Sequence, residues 1–178
     1  MKTVDKYLFQ ALDNYPFNLE ETVESLDYAL SYDDKNTMAL CLYARVYAEQ
    51  LLNYEEAKSL FEKAIGININ AIEVYPFYIQ TLLLNEDWDE AEKVIDFAVT
   101  IKGINKVEIL LKRVLLLELK REFKKAQKTI KEIKLLLIDS DYNYLIEETE
   151  RRLNEKLGKK SDDNDSPKKK KSKKKSSK

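Results

Sequence analysis

Two stretches decide the fold: NYEEAKSLFEKAIGI at residues 53–67 and DWDEAEKVIDFAVTI at residues 87–101. Set one beneath the other, they place an aromatic, two acids, an alanine, a bulky apolar residue and a second alanine in the same order, thirty-four residues apart. The pattern extends both ways. Thr22, Ala57, Ala91 and Ala126 are spaced 35, 34 and 35 apart; four residues after each stand Leu26, Phe61, Ile95 and Ile130, and three further on Ala29, Ala64, Ala98 and Ile133. Residues at i, i+4 and i+7 share one helical face, so the same packing surface is presented four times, small, large, small in the first three copies.

Each of these helices carries a start signal. Asn18, Asn53 and Asp87 stand four residues before the alanine-type position, where a side-chain oxygen can accept an orphan N–H of the first turn, and Glu21, Glu56 and Glu90 three residues later complete capping boxes. In the fourth copy Glu122 and Lys125 occupy those places and the box is lost. The run NEDWDEAE (85–92) is read as a helix start rather than a metal loop, because its carboxylates have capping and dipole work and no turn-forming glycine follows.

Upstream of every capped helix lies a second amphipathic pattern: Val4, Tyr7, Leu8, Ala11; Leu40, Tyr43, Ala44, Tyr47; Tyr75, Tyr78, Ile79, Leu82; and Leu110, Arg113, Val114, Leu117. Two helices in about 34 residues cannot bury their apolar faces alone and must stack on their neighbours. A last helix is expected within residues 140–158, capped near Ser140 or Asp141 and stopped by Gly158, with Tyr144, Leu145, Thr149 and Leu153 as its apolar stripe and a charged opposite face.

Composition removes most enzyme chemistries. The chain has no histidine among its 178 residues, which excludes a histidine general base and the commonest zinc and iron sites. Its one cysteine, Cys41, sits among helical apolar neighbours and reads as a small core or groove residue. Gly66, Gly103 and Gly158 are isolated, so no phosphate-cradling loop exists, and carboxylate pairs such as Glu55 and Glu56 fall on outer helix faces. No catalysis, metal or cofactor is expected. The N-terminal MKTVDKYLFQALDNYPF lacks the pattern of a secretory signal, and LLKRVLLLELK is broken by Lys112, Arg113 and Glu118, so no membrane span is expected and the chain reads as cytoplasmic.

At these residues the chain resembles the tetratricopeptide repeat family. Its signature is best met by Leu40, Tyr43, Ala44 and Tyr47 with Ala57, Phe61 and Ala64, and the resemblance covers roughly residues 3–137. The family's glycine of the first helix is Ala44, Ile79 and Val114 here, and Asp34 and Ile69 stand at its closing proline. The resemblance implies an all-α, right-handed α-solenoid of about four helical hairpins with a C-terminal capping helix, over residues 3–158. It also implies a non-catalytic scaffold whose first helices line a concave groove for a peptide or amphipathic helix of another protein. The groove residues would be Met38, Cys41, Arg45 and Glu49; Glu73, Phe77, Gln80 and Leu84; and Glu108, Leu111, Leu115 and Glu118. Of the cations and asparagines that a clamp for acidic chaperone C-termini needs, only Arg45 is present, so that variant is rejected.

The net charge of −1 conceals segregation. Residues 1–100 hold 19 acids and 7 bases, whereas residues 159–178 hold ten lysines and three aspartates. Residues 159–178, KKSDDNDSPKKKKSKKKSSK, have no large apolar residue and are expected to be a disordered tail. Its Lys168, Lys169, Lys170, Lys171, Lys173, Lys174, Lys175 and Lys178 admit several readings: a solubilising tail, a loose and salt-sensitive contact to nucleic acid or another polyanion, a nuclear import address, or a cover for the acidic first half.

Overall fold

A computed structural model describes residues 3–137 and 142–158, with side chains from Lys6 onward. Among the described residues the architecture is all-α, without a strand. The helices are α1 (Thr3–Asn14), α2 (Leu19–Tyr32), α3 (Thr37–Arg45, prolonged by a π-helical turn, Val46–Gln50), α4 (Tyr54–Ile67) and α5 (Tyr75–Leu84). They continue with α6 (Trp88–Ala98), α7 (Lys106–Leu119), α8 (Phe123–Leu136) and α9 (Asn143–Lys156). Helices α1–α2, α3–α4, α5–α6 and α7–α8 pair as hairpins, and the second helix of each packs on the first helix of the next. The second helices start at residues 19, 54, 88 and 123, reproducing the 35, 34, 35 spacing of the sequence.

The repeated face is the seam between hairpins. Thr22, Leu26 and Ala29 of α2, Ala57, Phe61 and Ala64 of α4, Ala91, Ile95 and Ala98 of α6, and Ala126, Ile130 and Ile133 of α8 are all buried. Phe61 and Ile95 occupy equivalent interior sites. The Phe61 ring stacks on Tyr78 of the following hairpin, centroids 5.5 Å apart, so the large residue between two small ones reaches across the seam. First helices are buried on two sides: Ala39, Leu42 and Val46 join the core of the preceding hairpin, while Leu40, Ala44 and Ala48 join the next. Val4 of the first stripe lies outside the described side chains.

Helix starts follow the sequence only in part. Asn18 Oδ1 accepts from Glu21 N at 3.4 Å and Asn53 Oδ1 from Glu56 N at 3.3 Å, as expected. Asp87 does not cap: its carboxylate instead accepts from Lys58 Nζ at 2.8 Å and Asn85 Nδ2 at 2.7 Å. The reciprocal half of each box is also replaced, because the cap residue's own N–H is already bonded to the preceding helix: Asn18 to Asn14 O, Asn53 to Tyr47 O, Asp87 to Leu82 O. Asn36 and Asn105 supply two further caps, to Ala39 N and Glu108 N.

These bonds define the turn inside each hairpin. Asp87 N to Leu82 O and Glu122 N to Leu117 O span five residues, as in a Schellman ending, and each turn holds one residue with left-handed backbone, Glu86 (φ 63°) and Arg121 (φ 58°). In the second hairpin Leu52 (φ 53°) has that role, but the bond runs from Asn53 back to Tyr47, one residue longer. The π-helical turn Val46–Gln50 absorbs the extra residue. Pro76 explains why α5 starts at Tyr75: further inside a helix its ring would displace a backbone bond, whereas in the first turn its missing N–H costs nothing.

The last helix differs in register from the expected stripe. Ile146, 1% exposed, packs inward with Thr149 and Leu153, while Tyr144, 79% exposed, points away and Leu145 is also exposed. The outer face carries Arg151 bonded to Glu148 and Glu155. The expected caps Ser140 and Asp141 lie outside the described residues, as does the tail from residue 159.

Two outcomes test this fold. Glu86→Gly and Arg121→Gly relieve a left-handed non-glycine residue and are each expected to raise unfolding stability by about 0.5–1 kcal/mol in urea titrations. Phe61→Ala, at a fully buried seam, is expected to cost about 3–5 kcal/mol.

Candidate functional site

The first helices α3, α5 and α7 carry the residues named for the groove, except Glu73, which lies in the turn before α5, and the structure divides them into two sets. In the N-terminal half the side chains engage one another. The Arg45 guanidinium lies 4.0 Å from the centroid of the Phe77 ring and 4.8 Å from that of Tyr15. Its Nε donates to Glu49 Oε1 at 2.9 Å, and Tyr15 OH donates to Glu49 Oε2 at 2.5 Å. Burial pushes the Glu49 carboxyl up, but these donors outweigh it and hold the group below its ordinary range. Thr37 Oγ1 donates to Glu73 Oε1 at 3.3 Å. Met38 and Leu84 are exposed at the margins. Cys41 is corrected from groove to core: it is buried, its Sγ is 3.8 Å from the Glu73 carbonyl oxygen, and burial pushes the thiol up to about 12, so it stays protonated near neutral pH.

The C-terminal half is open. Between α7 and α9 lies a cavity of about 350 Å³ whose floor is Val114 and Thr149 and whose walls are Leu111 and Leu115 on one side and Tyr142 and Leu145 on the other, with Gln80 and Glu108 at its margin. Lys112 also lines it. Its Nζ donates to Gln80 Oε1 at 3.1 Å, and burial pulls the ammonium below its ordinary range, with Glu108 opposing the shift. Among the described residues no carboxylate lies within ion-pair distance of Lys112, so a partly desolvated cation with spare donors faces an apolar cleft.

Glu118, also named for the groove, is corrected as well. It is buried beneath α9, where Arg152 Nη2 and Lys156 Nζ each donate to its carboxylate at 2.8 Å and Arg152 Nε at 3.1 Å. Burial pushes this carboxyl up, yet the hydrogen bonds from Arg152 and Lys156 win and leave it lowered. With Asn105 Nδ2 donating to Tyr142 OH at 2.9 Å, these bonds hold α9 along α7 and so fix the far wall of the cleft. Lys112, Tyr142 and Arg152 were missed by sequence reading. The signal was the lysine interrupting an apolar run, taken only as a bar to membrane insertion.

The eight tail lysines Lys168, Lys169, Lys170, Lys171, Lys173, Lys174, Lys175 and Lys178 lie outside the described residues. Among the described residues no group of three or more cysteine, aspartate or glutamate side chains is placed to hold a metal ion, and no helix is long and apolar enough to cross a membrane.

No family model matches the chain, and no curated protein matches it. Solved structures do. A tetratricopeptide repeat protein from Parabacteroides merdae is similar over 88% of this chain at 18% identity and a TM-score of 0.72; the chain spans 59% of that protein's length. Pseudomonas aeruginosa pilF is similar over 87% of this chain and 69% of its own, at 16% identity and a TM-score of 0.76. A thermophilic repeat protein of Thermus thermophilus is similar over 88% of this chain and 84% of its own, at 17% identity and a TM-score of 0.69. The class so defined is an all-α solenoid of stacked helical hairpins. Its particular fold is that of the tetratricopeptide repeat.

The Glu118 cluster has a defined pH signature. Its folded pKa lies below the ordinary 4.5, so the stabilisation is present above that value and is lost as pH falls through the folded pKa. Glu118→Gln is expected to cost about 1–2 kcal/mol at neutral pH, less than for a fully buried pair because both cations are partly exposed. In thermal melts the gap between the two proteins should narrow as pH falls below the ordinary 4.5 and close once it has passed through the folded pKa.

Proposed function

We propose that the protein is a non-catalytic adaptor that receives a peptide or amphipathic helix of another protein on its concave face, in the C-terminal half of the groove. The observation that carries this reading is the cleft between α7 and α9, about 350 Å³ in volume, walled by leucines and holding the under-satisfied ammonium of Lys112. Apolar walls around a few convergent polar groups are the usual make-up of a recognition site. A bulky apolar side chain of the partner fills the space between Leu115 and Leu145, and a backbone carbonyl or carboxylate of the same segment accepts from Lys112. The N-terminal half contributes Met38 and Leu84 as flanking contacts, while Arg45, Glu49 and Phe77 form a closed cluster that shapes the groove. Solenoids of this fold present such surfaces along their concave side.

Peptides selected by display against the full chain are expected to carry a bulky apolar residue. Their affinity is expected to fall about tenfold or more against a Leu111→Ala/Leu115→Ala variant, the usual effect of removing anchor contacts at the centre of an interface. The variant should still unfold cooperatively. Selected peptides that bind it as tightly as the unaltered chain would show that the cleft is not the site.

A further inference from the structure

The outer helices α2 and α8 occupy equivalent places at opposite ends of the stack, related by an offset of 104 residues that takes Thr22 to Ala126. At that offset every acid of α2 is answered by a lysine of α8: Glu20 by Lys124, Glu21 by Lys125, Glu24 by Lys128 and Asp27 by Lys131. All eight side chains are exposed, and α2 carries no basic residue. Residues spaced four and three apart share one helical face, so Glu20, Glu24 and Asp27 form a negative stripe and Lys124, Lys128 and Lys131 the matching positive one.

Apart from Lys125, which pairs with Glu122, these charges are left unneutralised where others are not. Among the described residues neither stripe enters an ion pair. On α6, by contrast, Asp89 and Glu92 are held by Lys120 and Asp96 by Arg113. Like charges four residues apart destabilise the helix that bears them. The two stripes cannot relieve each other within one chain, because α2 packs on α1 and α3 whereas α8 packs on α7 and α9. Both helices also end in exposed apolar groups: Tyr28 and Tyr32 on α2, and on α8 Leu136 and Leu135, the latter 87% exposed.

We propose that the occupant of these faces is a second copy of the chain, with α2 of one copy lying parallel to α8 of the other. A two-fold axis parallel to the outer helices makes this contact twice, since it swaps the ends of the stack and preserves helix direction. In that alignment Glu20, Glu24 and Asp27 meet Lys124, Lys128 and Lys131, and Tyr32 meets Leu136. The repeat-equivalent spacing supplies the register without adjustment. Complementary charge sets orientation and association rate, and the apolar ends give the contact a part that salt does not screen.

Sedimentation velocity of the full chain is the test. A dimer is expected at about 0.05 M salt, with affinity falling at least tenfold at about 0.5 M. Glu20→Lys/Glu24→Lys and Lys124→Glu/Lys128→Glu variants are each expected to sediment as monomers and, when mixed in equal amounts, to form a heterodimer, because every contact is again between opposite charges. Restoration on mixing also shows that neither variant has lost its fold. The Lys124→Glu/Lys128→Glu variant retains Lys168 to Lys178, so dimerisation that persists in it would assign association to the tail and overturn the proposal. So would a wild-type monomer at both salt concentrations, with or without loss of nucleic-acid binding in that variant.

Discussion

A bulky side chain lodged between two small ones, on every outer helix but α8, where Ile133 takes the second small place, is the constraint on which the rest of the structure depends. Ala57 and Ala64 let the helices approach, and Phe61 crosses the space so opened to stack on Tyr78 of the next hairpin. Fully burying such a residue contributes about 1.5–3 kcal/mol. No hairpin collects that contribution alone, since each seam is half supplied by its neighbour. The stack therefore needs covers at its ends. At one end Ile146, Thr149 and Leu153 of α9 close the last seam behind a charged outer face; at the other Tyr7 stacks on Tyr28 at 5.2 Å and Tyr32 at 6.0 Å.

The turns show how tightly a repeat restricts its own chemistry. One backbone N–H cannot serve two acceptors, so once Asn18 N, Asn53 N and Asp87 N close the preceding helix, the acid three residues later has nothing to receive from the cap. Glu90 accepts from Tyr78 OH at 2.6 Å inside its own hairpin, and Asp87 accepts from Lys58 of the preceding one, which turns local caps into ties between helices. The one-residue surplus between Tyr47 and Asn53 is taken up inside the helix as a π-turn, leaving the phase of the following outer helix intact. The outer helices keep even spacing although the inner ones begin unevenly, at 37, 75 and 106.

Much of the fold was legible in the sequence because its determinants are periodic. Positions 57, 61 and 64 and their equivalents repeat in spacing and, save for Ile133, in residue size, and burial followed them in all four copies. The same argument failed where only one copy exists. Helix α9 has no repeat to fix its phase, and Tyr144, Leu145 and Ile146 stand side by side, so the stripe was misplaced in its first turn, where Ile146 is the buried residue, while Thr149 and Leu153 are buried as expected. In the candidate site the division between closed and open halves was invisible, because it arises from contacts between separate helices, Arg45 with Phe77 and Glu118 with Arg152. Ala44, Ile79 and Val114 at a glycine position, and no closing proline at 34 or 69, put the chain outside the family's sequence pattern while leaving its packing geometry intact.

The bonds that finish the solenoid also shape the cleft beside its last helix. Helix α9 is set against α7 by Glu118 reaching Arg152 and Lys156 and by Asn105 reaching Tyr142, and those same residues position Tyr142 and Leu145 across from Leu111 and Leu115. An ionic clasp suits this role better than an apolar seam. A seam of the Phe61 kind would draw α9 onto α7 until the space closed, as small residues do elsewhere in the stack. Charged groups with fixed hydrogen-bond lengths hold the two helices at a set separation, and about 350 Å³ of cleft persists between them. The chain thus uses packing where hairpins must meet and polar contacts where they must stay apart.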